Sequence, residues 1–256
     1  MNMVLAIDIG NTNIVVGCFD NDKILFIERV STNHSATDLE YAVTIRMALH
    51  IHGYESSMLE GAIISSVVPG VTGTVKKAIE KYAGVKALVV SPGVKTGLSI
   101  LVDNPAQLGS DLVVDAVAGI NNYPTPLVIV DMGTATTLSV IDKNKNYIGG
   151  MIMTGVAISA DALTSRTSQL PKIAFEAPKK LIGKNTVDCM RNGIMYSNAA
   201  AIDGLCERVE EELGEKCTVV ATGGIAHLIV PLCKREIILD DELLLKGLMI
   251  IYNKNL

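Results

Sequence analysis

Residues 6–13 read AIDIGNTN and residues 129–136 read IVDMGTAT. A shift of 123 residues, almost half of the 256-residue chain, lays Asp8 over Asp131, Gly10 over Gly133 and Asn13 over Thr136. Each block closes an apolar strand pattern and precedes a second one. Those second patterns run into the polar turns Asp20-Asn21-Asp22-Lys23 and Asp142-Lys143-Asn144-Lys145. One Asp-x-Gly is an ordinary turn. Two of them, each between two strands and half a chain apart, predict a duplicated domain.

The rest of the chain follows the same rhythm. Apolar runs predict strands at Val4–Ile9, Ile14–Phe19, Ile24–Val30, Ala62–Val68, Ala87–Val90 and Leu98–Val102. Helical periodicity fits Ala36–His52 and Thr72–Ala83. A second series opens with strands at Leu127–Asp131, Thr137–Ile141 and Tyr147–Met153, and Cys217–Ala221 follows later. Its helices are expected at Val156–Leu170, Val187–Leu213, Ile225–Cys233 and Leu243–Lys254. Strands first, then helix alternating with strand, make an α/β chain. The expected division is 1–117 and 118–256.

Composition narrows the function classes. With 49% hydrophobic and 19% charged residues the chain can bury a sizeable core. A net charge of −5, without any run of Lys or Arg, leaves no electrostatic footprint for nucleic acid. No apolar run approaches the ~18 residues of a membrane span, and Asp8 interrupts the stretch from Met3 to Ile7. A cytoplasmic protein is expected, with no nucleic-acid or membrane partner. The five cysteines are scattered, with no Cys-x-x-Cys pair, which fits neither a zinc site nor a disulfide framework. Cys18 reads as a small core residue. His50 and His52 read as a solvated helix end, since residues two apart face different ways.

The two turns have the chemistry of an anion site. Glycine lets the backbone approach an anion closely, and the N–H groups of a tight hairpin form a concave donor array. Asn11, Thr12, Asn13, Thr134, Thr136 and Thr137 add polar side chains. Asp8 and Asp131, at strand ends, are hard oxygen ligands for Mg²⁺ or a monovalent cation. Two such hairpins suit a polyphosphate and its metal, and hence phosphoryl transfer. Neither a P-loop nor a Gly-x-Gly-x-x-Gly turn occurs. Thr222-Gly223-Gly224, between a strand and a helix, suits a flat nucleoside.

Asp8–Asn13, Asp131–Thr136 and Thr222–Gly224 resemble the two phosphate motifs and the adenosine motif of the acetate and sugar kinase, Hsp70 and actin superfamily. Within it the chain is similar to type III pantothenate kinases. Further matches are Asn104-Pro105, Gly109-Ser110-Asp111, Gly149-Gly150, Ile182–Thr186 and Leu245–Tyr252, which together cover essentially the whole chain. The resemblance implies two duplicated ribonuclease-H-like domains and ATP-dependent phosphorylation of pantothenate at the entry to coenzyme A synthesis. It also implies a homodimer, Mg²⁺ with ATP, and a monovalent cation, K⁺ or NH₄⁺. By the same resemblance Asp8, Ile9, Gly10, Asn11, Thr12, Asn13, Ile14 and Val15 hold ATP, Thr134 touches it, and Asp131 binds the monovalent cation. Gly109, Ser110, Asp111, Leu112 and Thr186 match substrate-binding positions, and Asp111 matches the proton acceptor. From the residues alone, Asp111 is also readable as an exposed helix N-cap ahead of Leu112.

The chain departs from the family pattern at four places. Leu112 stands where the family has Arg and Val102 where it has Tyr. Thr154-Gly155 replaces Pro-Gly, and Asn192-Gly193 replaces Ser-Gly. A charge-assisted hydrogen bond contributes about 1.5–3 kcal/mol, so its loss weakens binding of an anionic substrate by roughly ten- to 150-fold. Arg166 and Lys184 are the candidate replacement cations. Three readings stay open at this point: a pantothenate kinase with a rearranged pocket, a kinase for another small hydroxylated molecule, and a non-catalytic nucleotide-binding regulator.

Overall fold

The computed structural model describes residues 3–256. In chain order the first elements are β1 (Met3–Ile9), β2 (Asn13–Asp20), β3 (Lys23–Ser31), α1 (Asp38–Ile51), β4 (Leu59–Ser66), α2 (Pro69–Ala83) and β5 (Ala87–Val89). Then come β6 (Ser99–Ile100), α3 (Ser110–Asn122), β7 (Leu127–Met132), β8 (Ala135–Ile141), β9 (Asn146–Thr154) and α4 (Val156–Arg166). The chain closes with α5 (Thr186–Leu213), β10 (Thr218–Thr222), α6 (Ala226–Ile229), β11 (Ile238–Leu239) and α7 (Leu243–Lys254).

Two compact units form. The first holds residues 3–97, 104–118 and 243–256; the second holds 98–103 and 119–242. Their sheets run β3-β2-β1-β4-β5 and β11-β10-β7-β8-β9-β6. The central strand in each has an antiparallel hairpin partner on one side and a parallel strand on the other. Asp8 lies opposite Val15 and Ser65; Asp131 lies opposite Thr137 and Thr222. The duplication expected from the two Asp-x-Gly blocks is thus a duplication of topology, with the hairpin register in the second unit offset by one residue.

Packing explains the placement of the blocks. From Met3 to Ile7 every residue of β1 is buried, as a strand covered on both faces must be. One face packs on Tyr41, Ile45 and Leu49 of α1 and Val71, Val75 and Ile79 of α2. α1 starts at a capping box, in which Glu40 N–H donates to Thr37 Oγ1 and Glu40 Oε2 accepts from Thr37 N–H. The other face takes α7, whose Leu245 and Tyr252 fill the space beside the side-chain-free Gly17 and Gly61. Gly247 of α7 lies directly against the Val114 backbone of α3. This is why the unit boundary is not a single cut at 117/118: α7, expected with the second half, completes the first core. In the second unit, Val128 and Val130 of β7 pack with Ile194, Met195 and Ile202 of α5.

Several elements differ from expectation. α3 extends the helix start expected beside Asp111 as far as Asn122, burying Val113, Val114, Val117 and Ile120. β6 shrinks to two residues, and α6 is one turn that continues as a 3₁₀ turn through Pro231. α2 begins earlier than expected, at Pro69, a residue suited to the first helical position. Cys18 is a buried core residue, and burial pushes its thiol up to about 12. His52 is not simply solvated: its ring stacks on Phe26 at 4.4 Å, and Nε2 lies 2.8 Å from Glu28 Oε1.

Candidate active site

In the first unit the β1–β2 turn brings Asp8 to Val15 together as one hairpin. Gly10 N–H donates to Asn13 O at 3.0 Å, leaving Asn11, Thr12 and Asn13 exposed at the tip. A Cβ on Gly10 would stand 3.1 Å from Asn13 O, so glycine keeps the turn tight. Thr32, just past β3, fastens the tip from the side. Its Oγ1 donates to Gly10 O at 2.6 Å and its N–H to Thr12 O at 2.9 Å. Ile14 is buried beneath, while Asp8 and Val15 are half-buried.

The start of α3 lies in the same unit. Asp111 is in its first turn and half-buried, not the exposed cap weighed from sequence. Its Oδ1 accepts the Leu112 N–H at 2.9 Å. Burial nevertheless raises its carboxyl above the ordinary carboxylate value, against the smaller pull of that N–H. Gly109 supplies the room, since a Cβ there would collide with Asp111 Oδ1. Ser110 Oγ lies 3.1 Å from Ser65 Oγ, and Ser65 is the residue opposite Asp8. Asp8 and the helix bearing Asp111 are therefore joined at the ends of β1 and β4 through one serine pair.

In the second unit, Gly133 and Thr134 form the exposed β7–β8 turn. Gly155 is buried against their carbonyl oxygens, where a Cβ would not fit. Gly223, with φ 97°, packs on Asp131; a Cβ there would stand 2.6 Å from Asp131 Oδ1 and from the Met132 backbone. Asp131, Gly133, Thr134, Gly155 and Gly223 thus form one cluster. Thr137 Oγ1, on the residue opposite Asp131, is buried with no hydrogen-bond partner among the described residues. Thr186 opens α5 at an exposed position behind its cap Asn185, whose Oδ1 accepts the Asp188 N–H at 2.9 Å. Arg166 and Lys184 are exposed as well.

Carboxylates at strand ends, glycine-tight hairpins and a half-buried aspartate at a helix start are the parts a phosphoryl-transfer enzyme needs. Among the described residues no group of three His, Cys, Asp or Glu side chains is arranged to hold a metal by itself. Asp8 and Asp131 each stand half-buried towards the end of the central strand of their own unit. Sequence reasoning missed Thr32, Ser65 and Ser66. The one signal for the serines is a polar pair ending the apolar run Ala62–Ile64.

The sequence pattern of the type III pantothenate kinase family matches residues 4–208. The chain belongs to this family. It is 43% identical over 253 residues to the type III pantothenate kinase of Bacillus cytotoxicus, covering 99% of this chain and 97% of that one. The family's activity is ATP-dependent phosphorylation of pantothenate in coenzyme A biosynthesis, and this chain is a kinase of that kind. Solved structures extend the likeness at the level of fold. One is the activator of 2-hydroxyisocaproyl-CoA dehydratase from Clostridium difficile with bound ADPNP, at TM-score 0.57, 15% identity, and 98% and 94% coverage of the two chains. Another is a ROK family glucokinase from Streptomyces griseus, at TM-score 0.52, 14% identity and 98% coverage of each. The fold is that of the acetate and sugar kinase, Hsp70 and actin superfamily.

Proposed function

We propose that Asp111 is the proton acceptor when this kinase phosphorylates pantothenate. The pantothenate hydroxyl oxygen bonds to the γ-phosphorus of ATP, the bond to the β-phosphate oxygen breaks, ADP leaves, and the hydroxyl proton passes to the Asp111 carboxylate. The observation that carries this reading is the half-buried Asp111 with its raised carboxyl, joined through Ser110 and Ser65 to the strand end bearing Asp8.

Asp8, Gly10 and the exposed Asn11–Asn13 tip hold ATP phosphates with Ile9, Ile14 and Val15 as their framework, and Thr134 touches the nucleotide. Mg²⁺ supplied with ATP neutralises charge on the transferring phosphoryl group. Asp131 fits a monovalent cation, K⁺ or NH₄⁺, and the buried hydroxyl of Thr137 opposite it, without a hydrogen-bond partner among the described residues, supports that assignment. Gly109, Asp111, Leu112 and Thr186 bind pantothenate. The exposed Ile152, Leu181 and Ile182 support a homodimer, whose second copy would cover apolar surface of this kind. No helix among the described residues is long and apolar enough to cross a membrane, in keeping with action in the cytoplasm.

The test is phosphorylation of labelled pantothenate by the purified protein beside a panel of other small alcohols. Turnover of pantothenate that falls at least 100-fold in Asp111→Asn is expected. Full turnover in that variant would remove the base assignment.

A further inference from the structure

Ser110 stands among the residues expected to touch pantothenate, yet its hydroxyl is fully engaged inside the protein. A serine hydroxyl has one proton to donate and two lone pairs. Ser110 Oγ donates to Ser66 O at 3.0 Å and accepts the Ser66 N–H at 3.0 Å. With that proton used, the 3.1 Å contact to Ser65 Oγ is one in which Ser65 donates. Nothing is left for a substrate.

The partner it grips is a gap in the sheet. β5 pairs with β4 only as far as Ile64 opposite Val89, and Val90 N–H then reaches back to Ile64 O. The Ser66 peptide, two residues on, points to the same edge with no β5 residue to meet it. Ser110 takes both of its groups. Ser66 is braced in turn: its Oγ accepts the Val68 N–H at 3.1 Å and lies 2.7 Å from Thr72 Oγ1 on α2. One residue beyond Ser110 is Asp111.

We infer that Ser110 is a positioning residue, not a substrate contact: its side chain locks the start of α3 to the end of β4 and so aims Asp111. This rests on the assignment of Asp111 as base, and the two claims separate experimentally.

The variant Ser110→Ala, with Ser110→Thr as the conservative rescue, is to be followed by steady-state kinetics against pantothenate and ATP and by thermal melting. A misplacement of about 1 Å at a reacting group costs on the order of 100-fold. The expected result is a kcat lowered about 10- to 100-fold in Ser110→Ala, a KM for pantothenate within about threefold of wild type, and recovery in Ser110→Thr. The acid limb of the kcat profile should move toward ordinary carboxylate values as Asp111 gains water. In an Asp111→Asn background the same Ser110→Ala change should cost less than about twofold more, because its effect travels through the missing base. A raised KM with unchanged kcat would make Ser110 a substrate contact and overturn the inference. So would a full additional loss in the Asp111→Asn background, while the base assignment stood. Retained turnover in Asp111→Asn alone would instead remove the base assignment. Should Ser110→Ala not fold, Ser110→Cys replaces the hydroxyl with a weakly hydrogen-bonding thiol of similar size, and a raised KM with unchanged kcat there would equally overturn the lock.

Discussion

The Asp111 carboxylate lies over the α-carbon of Gly109, in the space that any side chain at 109 would take. The glycine is therefore required by its neighbour two residues on, not by its own backbone angles. A methyl group there must push the carboxylate aside or shift the start of α3. Gly109→Ala is expected to lower kcat by about 100-fold, the order of a 1 Å misplacement, while the core is untouched. Rapid-quench single-turnover kinetics beside a thermal melt checks this; normal turnover would show that Asp111 tolerates displacement.

Asp111→Asn should separate chemistry from folding. General-base contributions run from about 10²- to 10⁴-fold, so kcat should fall within that range. Asn fits the same space, and stability should change by less than about 1 kcal/mol. The sign of the pH effect follows from the raised carboxyl. The folded state holds the proton more tightly than the unfolded chain. The burial cost is thus absent below the unfolded pKa and grows as pH rises through the folded pKa. Asp111→Asn removes that cost, so at neutral pH the variant should melt no lower than the wild type. In the wild type, kcat should fall on the acid side with a midpoint above the usual carboxylate range, and Asp111→Asn should lose that limb.

Leu112 tests the altered substrate half. If the family's arginine recognises the pantothenate carboxylate, Leu112→Arg should lower KM for pantothenate by roughly ten- to 150-fold, corresponding to about 1.5–3 kcal/mol for a charge-assisted hydrogen bond. Initial-rate measurements over a range of pantothenate concentrations decide it. An unchanged KM would point to another cation in that role, with Arg166→Ala and Lys184→Ala the next variants to measure.

The first hairpin offers a test from two directions. Gly10→Ala crowds Asn13 O, and Thr32→Val removes the hydrogen bond to Gly10 O. Each should weaken Mg-ATP binding by about threefold to tenfold, the equivalent of one net hydrogen bond of ~1 kcal/mol. Isothermal calorimetry reads this directly. Unchanged affinity in both would take the phosphates away from this turn.

Much of this site was legible one residue at a time. Asp8, Gly10, Asp131, Gly133 and the Thr222–Gly224 turn stood out because strand, glycine turn and strand are short-range patterns, and a duplication repeats them at a fixed distance. The strands of both hairpins were readable for the same reason: burial on both faces writes continuous apolar runs. α7 was found in the sequence to the residue, since a helix with one buried side carries its own periodicity.

What tertiary structure alone decided is where those pieces pack and which polar groups meet. No local pattern says that α7 joins the first unit; that depends on Gly17 and Gly61 leaving room for Leu245 and Tyr252 from a segment more than 180 residues away. Nor does any spacing link Ser110 to Ser66, or Thr32 to Gly10, because a hydroxyl on the chain looks the same wherever its partner is. In the sequence Asp111 was readable both as a base and as an exposed helix cap. The structure adds its burial in the first turn of α3, with its charge disfavoured and Gly109 opened beneath it. Apolar periodicity is a local property and survives in the sequence; hydrogen-bond saturation and desolvation depend on neighbours that only folding supplies.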